Sequence, residues 1–253
     1  MIELSIAGGV AEVVLNAPEK LNALSLRELG EMDAAYRTAE EAGVRALMLR
    51  GEGRAFCAGR DIAGVDPVTD DVPEYLTGVE TLMRRIAGFP APTFAAVHGA
   101  CLGVGLGLAI ATDVVYVADD AKIGSPFASL GAMLDSGGHA LLYERLGAHR
   151  ALDLIYTGEL LSGAEAVAAG LFSRAMPVED VFDFTEQRAA VAASGPTAAF
   201  VASKRLIARL RGERLWDAVS EEARGQEALR TTADYREGFQ AFQQKRKPDF
   251  TGE

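Results

Sequence analysis

The sequence predicts an α/β core that carries a helical appendage. Strand-like runs alternate with helix-like stretches as far as Met176, and from Val181 onward helical periodicity dominates, broken only at Ser194-Gly195-Pro196. Between them, Ala95 to Gly138 reads as strand, glycine turn, buried helix, strand, loop and the start of a second helix. The core is expected over residues 1–190 and the helical region over 191–253. The chain shows no internal repeat, linker or low-complexity segment.

Taken in order, Ile2–Ile6 and Val10–Leu15 alternate around Gly8-Gly9, the pattern of a β-hairpin. Ser25 and Glu28 form a capping box, which predicts a helix over residues 25–42, and Val44–Leu49 follows as a strand. Gly51 to Gly59 reads as a glycine-bounded loop with a short strand, leading into Arg60-Asp61-Ile62. Residues 63–76, with Pro67 and Pro73, read as a surface loop, and a helix is expected from about Glu74 to Ile86. Phe94–Val97 is a buried strand. Gly99, Gly103, Gly105 and Gly107 then lead into an apolar helical stretch at Leu108–Ala111. Ser162 and Glu165 form a second capping box, and Leu171–Met176 reads as the last strand.

The chain is 253 residues long, 49% hydrophobic and 24% charged, enough for one large domain with a sizeable core. Its net charge of −11 argues against nucleic acid or an anionic membrane as partner. No apolar run is long enough to span a bilayer, and Met1–Val10 lacks the charged start and apolar core of a signal peptide, so a cytoplasmic location is expected. Cys57 and Cys101 sit in apolar surroundings without metal-ligand spacing and read as buried thiols. His98 reads as a core or turn histidine, His139 and His149 as helix residues, and Asp61 as a loop-holding residue. The N–H groups that open the central helix, together with its dipole, favour developing negative charge, and the chemistry is expected there.

Four stretches carry a family resemblance: Asn16 to Ser25, Ala55 to Ile62, the central glycine run, and Gly238 to Pro248. In this order they resemble the enoyl-CoA hydratase/isomerase (crotonase) superfamily. The resemblance implies a spiral of repeated ββα units over residues 1–190, a C-terminal trimerisation region, trimers often paired as hexamers, and an acyl-CoA thioester as substrate. Coenzyme A would enter only as part of that substrate, with no metal or redox cofactor. Two main-chain N–H groups would hold the thioester oxygen as it becomes an enolate, here those of Arg60 and Val104. Val104 stands where the family usually has glycine. Main-chain groups of Ala23 and Ala58 would contact the adenine, and Phe242 and Lys245 would come from a neighbouring subunit.

The departures from that pattern bear on the reaction. The positions of the two water-activating glutamates of hydratases hold Gly107 and Phe127, neither of which moves a proton. Asp135, in Leu134-Asp135-Ser136-Gly137-Gly138, stands where hydratases usually have glycine. Isomerases of the dienoyl-CoA and ring-epoxyphenylacetyl-CoA types resemble it in using this Asp as a base. A chlorobenzoyl-CoA dehalogenase, which uses it as a nucleophile, also keeps a histidine in the region of residues 70–90, and there is none here. Double-bond isomerisation with Asp135 as base is therefore the expectation, on an apolar acyl group facing Phe127, Met133, Leu134 and Leu142. The competing reading makes Asp135 an N-cap of the following helix. An atypical hydratase and a non-catalytic acyl-CoA binder also stay open, whereas a dinucleotide site is disfavoured because the glycines lack the GxGxxG spacing.

Overall fold

The computed structural model describes residues 1–212 and 214–253. β1 (Ile2–Ala7) and β2 (Val10–Leu15) form the expected hairpin, turned by Gly8 and Gly9 at positive φ. β2 runs parallel to β3 (Ala46–Gly51), β3 to β4 (Thr93–Val97), β4 to β6 (Val114–Ala118) and β6 to β9 (Arg174–Met176), giving a six-stranded sheet in the order β1-β2-β3-β4-β6-β9. Parallel neighbours need long crossovers. Here α1 (Leu26–Glu41), α2 (Val72–Gly88) and α3 (Val104–Ala111) supply the first three. β5 (Ala100–Leu102), β7 (Lys122–Gly124) and β8 (Leu161–Ser162) form a second, three-stranded sheet.

Both capping boxes form, at Ser25/Glu28 for α1 and at Ser162/Glu165 for α5 (Gly163–Ala168). Other boundaries differ from expectation for local reasons. β3 starts at Ala46 rather than Val44, since Gly9 O takes the Arg45 N–H at 2.7 Å and turns the chain first. α2 starts at Val72 because the Asp71 side chain accepts the Glu74 N–H at 2.9 Å, so the loop ends earlier than residue 76. The last strand covers only Arg174–Met176, while Leu171 and Phe172 pack into the core ahead of it.

The central glycines also differ from expectation. Gly103, at φ 51°, is the cap of α3, but Gly105 and Gly107 lie inside the helix instead of before it. A Cβ on Gly105 would collide with Cys57 O, and one on Gly107 with Ser136 Cβ. The glycines are therefore close-approach positions, and α3 is buried along nearly its whole length.

α4 (Gly138–Thr157) is kinked at Gly147. α6 (Val178–Ser194) runs past residue 190 and lays Ala189 and Ala193 on Phe94 and Tyr116 of the sheet. α7 (Thr197–Arg211), α8 (Arg214–Leu229) and α9 (Ala233–Gln243) make up the helical C-terminal region. The helical reading of residues 191–253 includes Glu213, which lies outside the described residues. α9 folds back onto its own chain: Gly238 sits against the Leu130 backbone, and Tyr235 and Phe239 pack with Ile62.

One buried polar residue ties the first loop to the segment that follows β3. Asn22, fully buried at φ 57°, accepts the Ala17 N–H at 2.8 Å and donates to Glu52 O, Ala55 O and Phe56 O at 3.0, 2.7 and 3.2 Å. Asn tolerates the left-handed backbone better than other non-glycine residues. Asn22→Ala strips these partners from buried groups and should cost about 3 kcal/mol in urea unfolding, far more than an exposed Asn→Ala change.

Candidate active site

Three backbone segments meet at the start of α3. On one side, residues 55–57 run beside β5: the Phe56 and Cys57 N–H groups donate to His98 O and Ala100 O at 2.8 and 2.9 Å, and Leu102 N–H donates to Cys57 O at 3.0 Å. The chain then passes Leu24, with Leu24 N–H donating to Gly59 O at 2.9 Å and Asp61 N–H to Leu24 O at 3.0 Å. In such a parallel bridge the amide of the residue between, Arg60, points away from Leu24. A Cβ on Gly59 would stand 3.0 Å from Leu102 O and 3.8 Å from Val104 N, so this loop faces the opening of α3. Val104 is the first helical residue, and its N–H has no acceptor one turn back.

On the second side, the Phe127 ring lies 3.3 Å from where a Gly103 Cβ would be. On the third, Ser136 presses on Gly107, which leaves no room for a larger side chain there. Neither position that carries an acid in the resemblance therefore supplies one here.

A cavity of about 430 Å³ opens where the segments meet, with Ala23, Ala58, Arg60, Phe127, Asp135 and Phe242 among its walls. The Val104 side chain is buried behind the wall. Phe242 borders the cavity of its own chain, whereas the resemblance assigned it to a neighbour's site; the cause is the seating of Gly238 on Leu130, which brings α9 back over the core. Lys245 is exposed, at φ 54°, and lies outside the cavity walls. A nearer cation is Lys20, which lines the cavity and pairs with Asp61 at 3.1 Å. This pair bears out the loop-holding reading of Asp61.

The Arg60 side chain lies inside the protein, paired with Asp70 at 2.6 Å and set 4.1 Å over the Tyr75 ring. Tyr75 and Tyr235 both border the cavity, and burial pushes both hydroxyls above the usual phenol range. His98 is a core histidine as expected, buried, with Nε2 2.8 Å from Gly53 O and its ring edge on Phe182. His139 and His149 lie in α4.

Asp135 is 6% exposed and borders the cavity. Ser136 Oγ donates to its Oδ1 at 2.8 Å. Burial pushes its carboxyl up to about 7, with the Glu222 carboxylate adding to the rise and Arg60 and His139 opposing it. The N-cap reading of this residue is overturned. Ser136 and Gly137, at φ 57° and 79°, turn the chain twice before α4 begins, and Gly137 takes the cap position. The N–H groups of Gly137 and His139 are instead accepted by Glu222 of α8, at 2.7 and 2.9 Å.

The match with known proteins covers the whole arrangement. The profile described as Enoyl-CoA hydratase/isomerase matches residues 5–253. The chain belongs to the enoyl-CoA hydratase/isomerase family. It is thus an enzyme of the crotonase superfamily acting on acyl-CoA. A probable enoyl-CoA hydratase of Rhodobacter capsulatus is 39% identical, the match covering 99% of this chain and 98% of that protein. The 1,2-epoxyphenylacetyl-CoA isomerase of Escherichia coli is 35% identical, covering 96% and 95%. Among solved structures, an enoyl-CoA hydratase from Mycobacterium avium subsp. paratuberculosis superposes with a TM-score of 0.88 at 31% identity, covering 99% of this chain and 98% of that one. A methylmalonyl-CoA decarboxylase in complex with 2-nitronate-propionyl-CoA does so with 0.82 at 26% identity, covering 100% and 98%.

Sequence reasoning missed Lys20, Tyr235, Gln226 and Glu222 in this family member. Tyr235, Phe239 and Phe242 recur at i, i+4 and i+7 on one helix face, a signal that could have found Tyr235. Glu222 and Gln226 give no such signal, being polar residues in a polar helix.

The buried Asp135 carboxyl has a consequence for stability. Its proton affinity in the folded state lies above the unfolded value of 3.8, so its contribution is whole below about pH 4 and is lost as the pH rises through about 7. Asp135→Asn should therefore match the wild type in thermal unfolding at pH 4 and exceed it by about 2–4 kcal/mol at pH 8.

Proposed function

We propose that this enzyme is an acyl-CoA isomerase that moves a proton along an enolised thioester, with Asp135 as the base. The observation that carries the reading is the state of the cavity's carboxylates: among the described residues lining it, Asp61 is paired with Lys20, whereas Asp135 has no cation at ion-pair distance and a proton affinity near neutrality.

The chemistry follows from the parts. The thioester oxygen sits between the Arg60 and Val104 amides, fixed donors placed where negative charge develops, one such donor being worth roughly 3–4 kcal/mol of barrier. Asp135, ionised in a large fraction of molecules near pH 7, takes a proton from a carbon of the acyl chain as the electron pair moves into the thioester carbonyl. The carboxylic acid so formed returns the proton to a different carbon, and the double bond shifts with no change of mass. Coenzyme A takes part only as the carrier in the substrate, and the step calls for no metal or redox group. Ala23, Ala58 and Phe242 along the cavity wall support a path for the coenzyme arm, and the exposed Lys245 of a neighbouring subunit meets its phosphates. The 35% identity to a protein named as an epoxyphenylacetyl-CoA isomerase supports the reaction class, and the crowding of Gly107 by Ser136 weighs against a two-acid hydration site.

Enoyl-, dienoyl- and aryl-CoA thioesters incubated in D2O should gain deuterium without gaining the mass of water. Asp135→Asn should keep acyl-CoA affinity but lower exchange and turnover by roughly 10²–10⁴. Full-rate exchange by that variant, or water added by the wild type, would overturn the reading.

Assembly belongs to the same proposal. No residue of α7 is buried, and Phe200, Ile207 and Leu210 on it are 37%, 66% and 78% exposed. Sedimentation should give a trimer or a multiple of three, and an active monomer would contradict the proposed assembly.

A further inference from the structure

α8 touches the Asp135 segment at two places, one on each side of the carboxylate. Glu222, 2% exposed, accepts the N–H groups of Gly137 and His139 and stands 2.8 Å from His139 Nδ1. Four residues on, and so on the same helix face, Gln226 Nε2 donates to Met133 O. Gln226 is itself 4% exposed, and its Oε1 is buried with no hydrogen-bond partner among the described residues. A buried anion and a half-satisfied buried amide are costly for a helix that could pack with apolar residues. What they achieve together is to hold the main chain at residues 133 and 137 while residue 135 is left uncapped.

We propose that Glu222 and Gln226 are positioning residues for Asp135: they brace the backbone on both sides of it, and Glu222 does the capping that Asp135 would otherwise do, which leaves the Asp135 carboxylate to the cavity. This inference rests on the reading of Asp135 as the base. The capping also explains the backbone. With the α4 amides already occupied, the left-handed Ser136 and Gly137 can turn the Asp135 side chain away from the helix start without orphaning those amides.

Glu222 acts on Asp135 by charge as well. The groups facing Asp135 are Glu222 from α8, His139 from α4, Arg60 from the loop after residue 59, Tyr75 from α2 and Tyr235 from α9. Of these, Glu222 is the anion that favours the protonated acid. Neutralising it makes Asp135 easier to ionise, so the acid limb of the rate profile moves to lower pH.

Glu222→Gln, measured by deuterium uptake into an acyl-CoA thioester, should lower kcat roughly tenfold with KM unchanged. It should also move the acid-side midpoint down by roughly half a pH unit or more. Gln226→Leu should lower kcat without moving that midpoint. In an Asp135→Asn background, Glu222→Gln should produce no further loss, because the group it acts through is gone. A double variant that loses the full additional factor overturns the brace and assigns Glu222 to stability alone, and a midpoint that stays in place overturns the charge effect. Full activity in Asp135→Asn by itself would instead bring down the reading of the base, a separate outcome that the same set of variants reports.

Discussion

The missing side chains of α3 are the constraint on which the site depends. Gly105 and Gly107 let the backbone of Cys57 and the turn at Ser136 approach the helix closer than any Cβ would permit, and Gly103 at its cap sits tightly against the ring of Phe127. The loop that bears Arg60, the Phe127 segment and the turn that bears Asp135 therefore end within one small cavity. Close packing against a helix of eight residues brings them together.

That helix also explains where sequence reasoning succeeded. The hairpin, both capping boxes and the alternation of strand and helix were legible because each is written in neighbouring residues. Arg60, Ala23, Ala58 and Asp135 were legible through motifs, and the cavity wall includes all four. The N-cap alternative for Asp135 was reasonable on local grounds, since Asp followed by Ser-Gly-Gly is a common way to open a helix. It failed because the competing acceptor, Glu222, comes from 85 residues away. No local rule can see a cap supplied by another helix. The same holds for Phe242, whose place depends on how α9 folds back and not on its own spacing.

The electrostatics of the site run against those of the whole chain. A protein of net charge −11 keeps its surface anionic, yet the cavity places Lys20 and Arg60 near the carboxylates. Each of these cations is already answered, Lys20 by Asp61 and Arg60 by Asp70. Asp135 is left in a nearly dry setting, held by one hydroxyl and faced by a buried anion. A carboxyl near neutrality is the result of that arrangement, and its cost in stability is the ordinary companion of a tuned group.

The contact between Gly107 and Ser136 limits how this enzyme could change by descent. A side chain at residue 107 would have to displace Ser136, whose Cβ stands where its own would lie. Substitution at residue 107 is therefore coupled to the residue and the backbone at position 136.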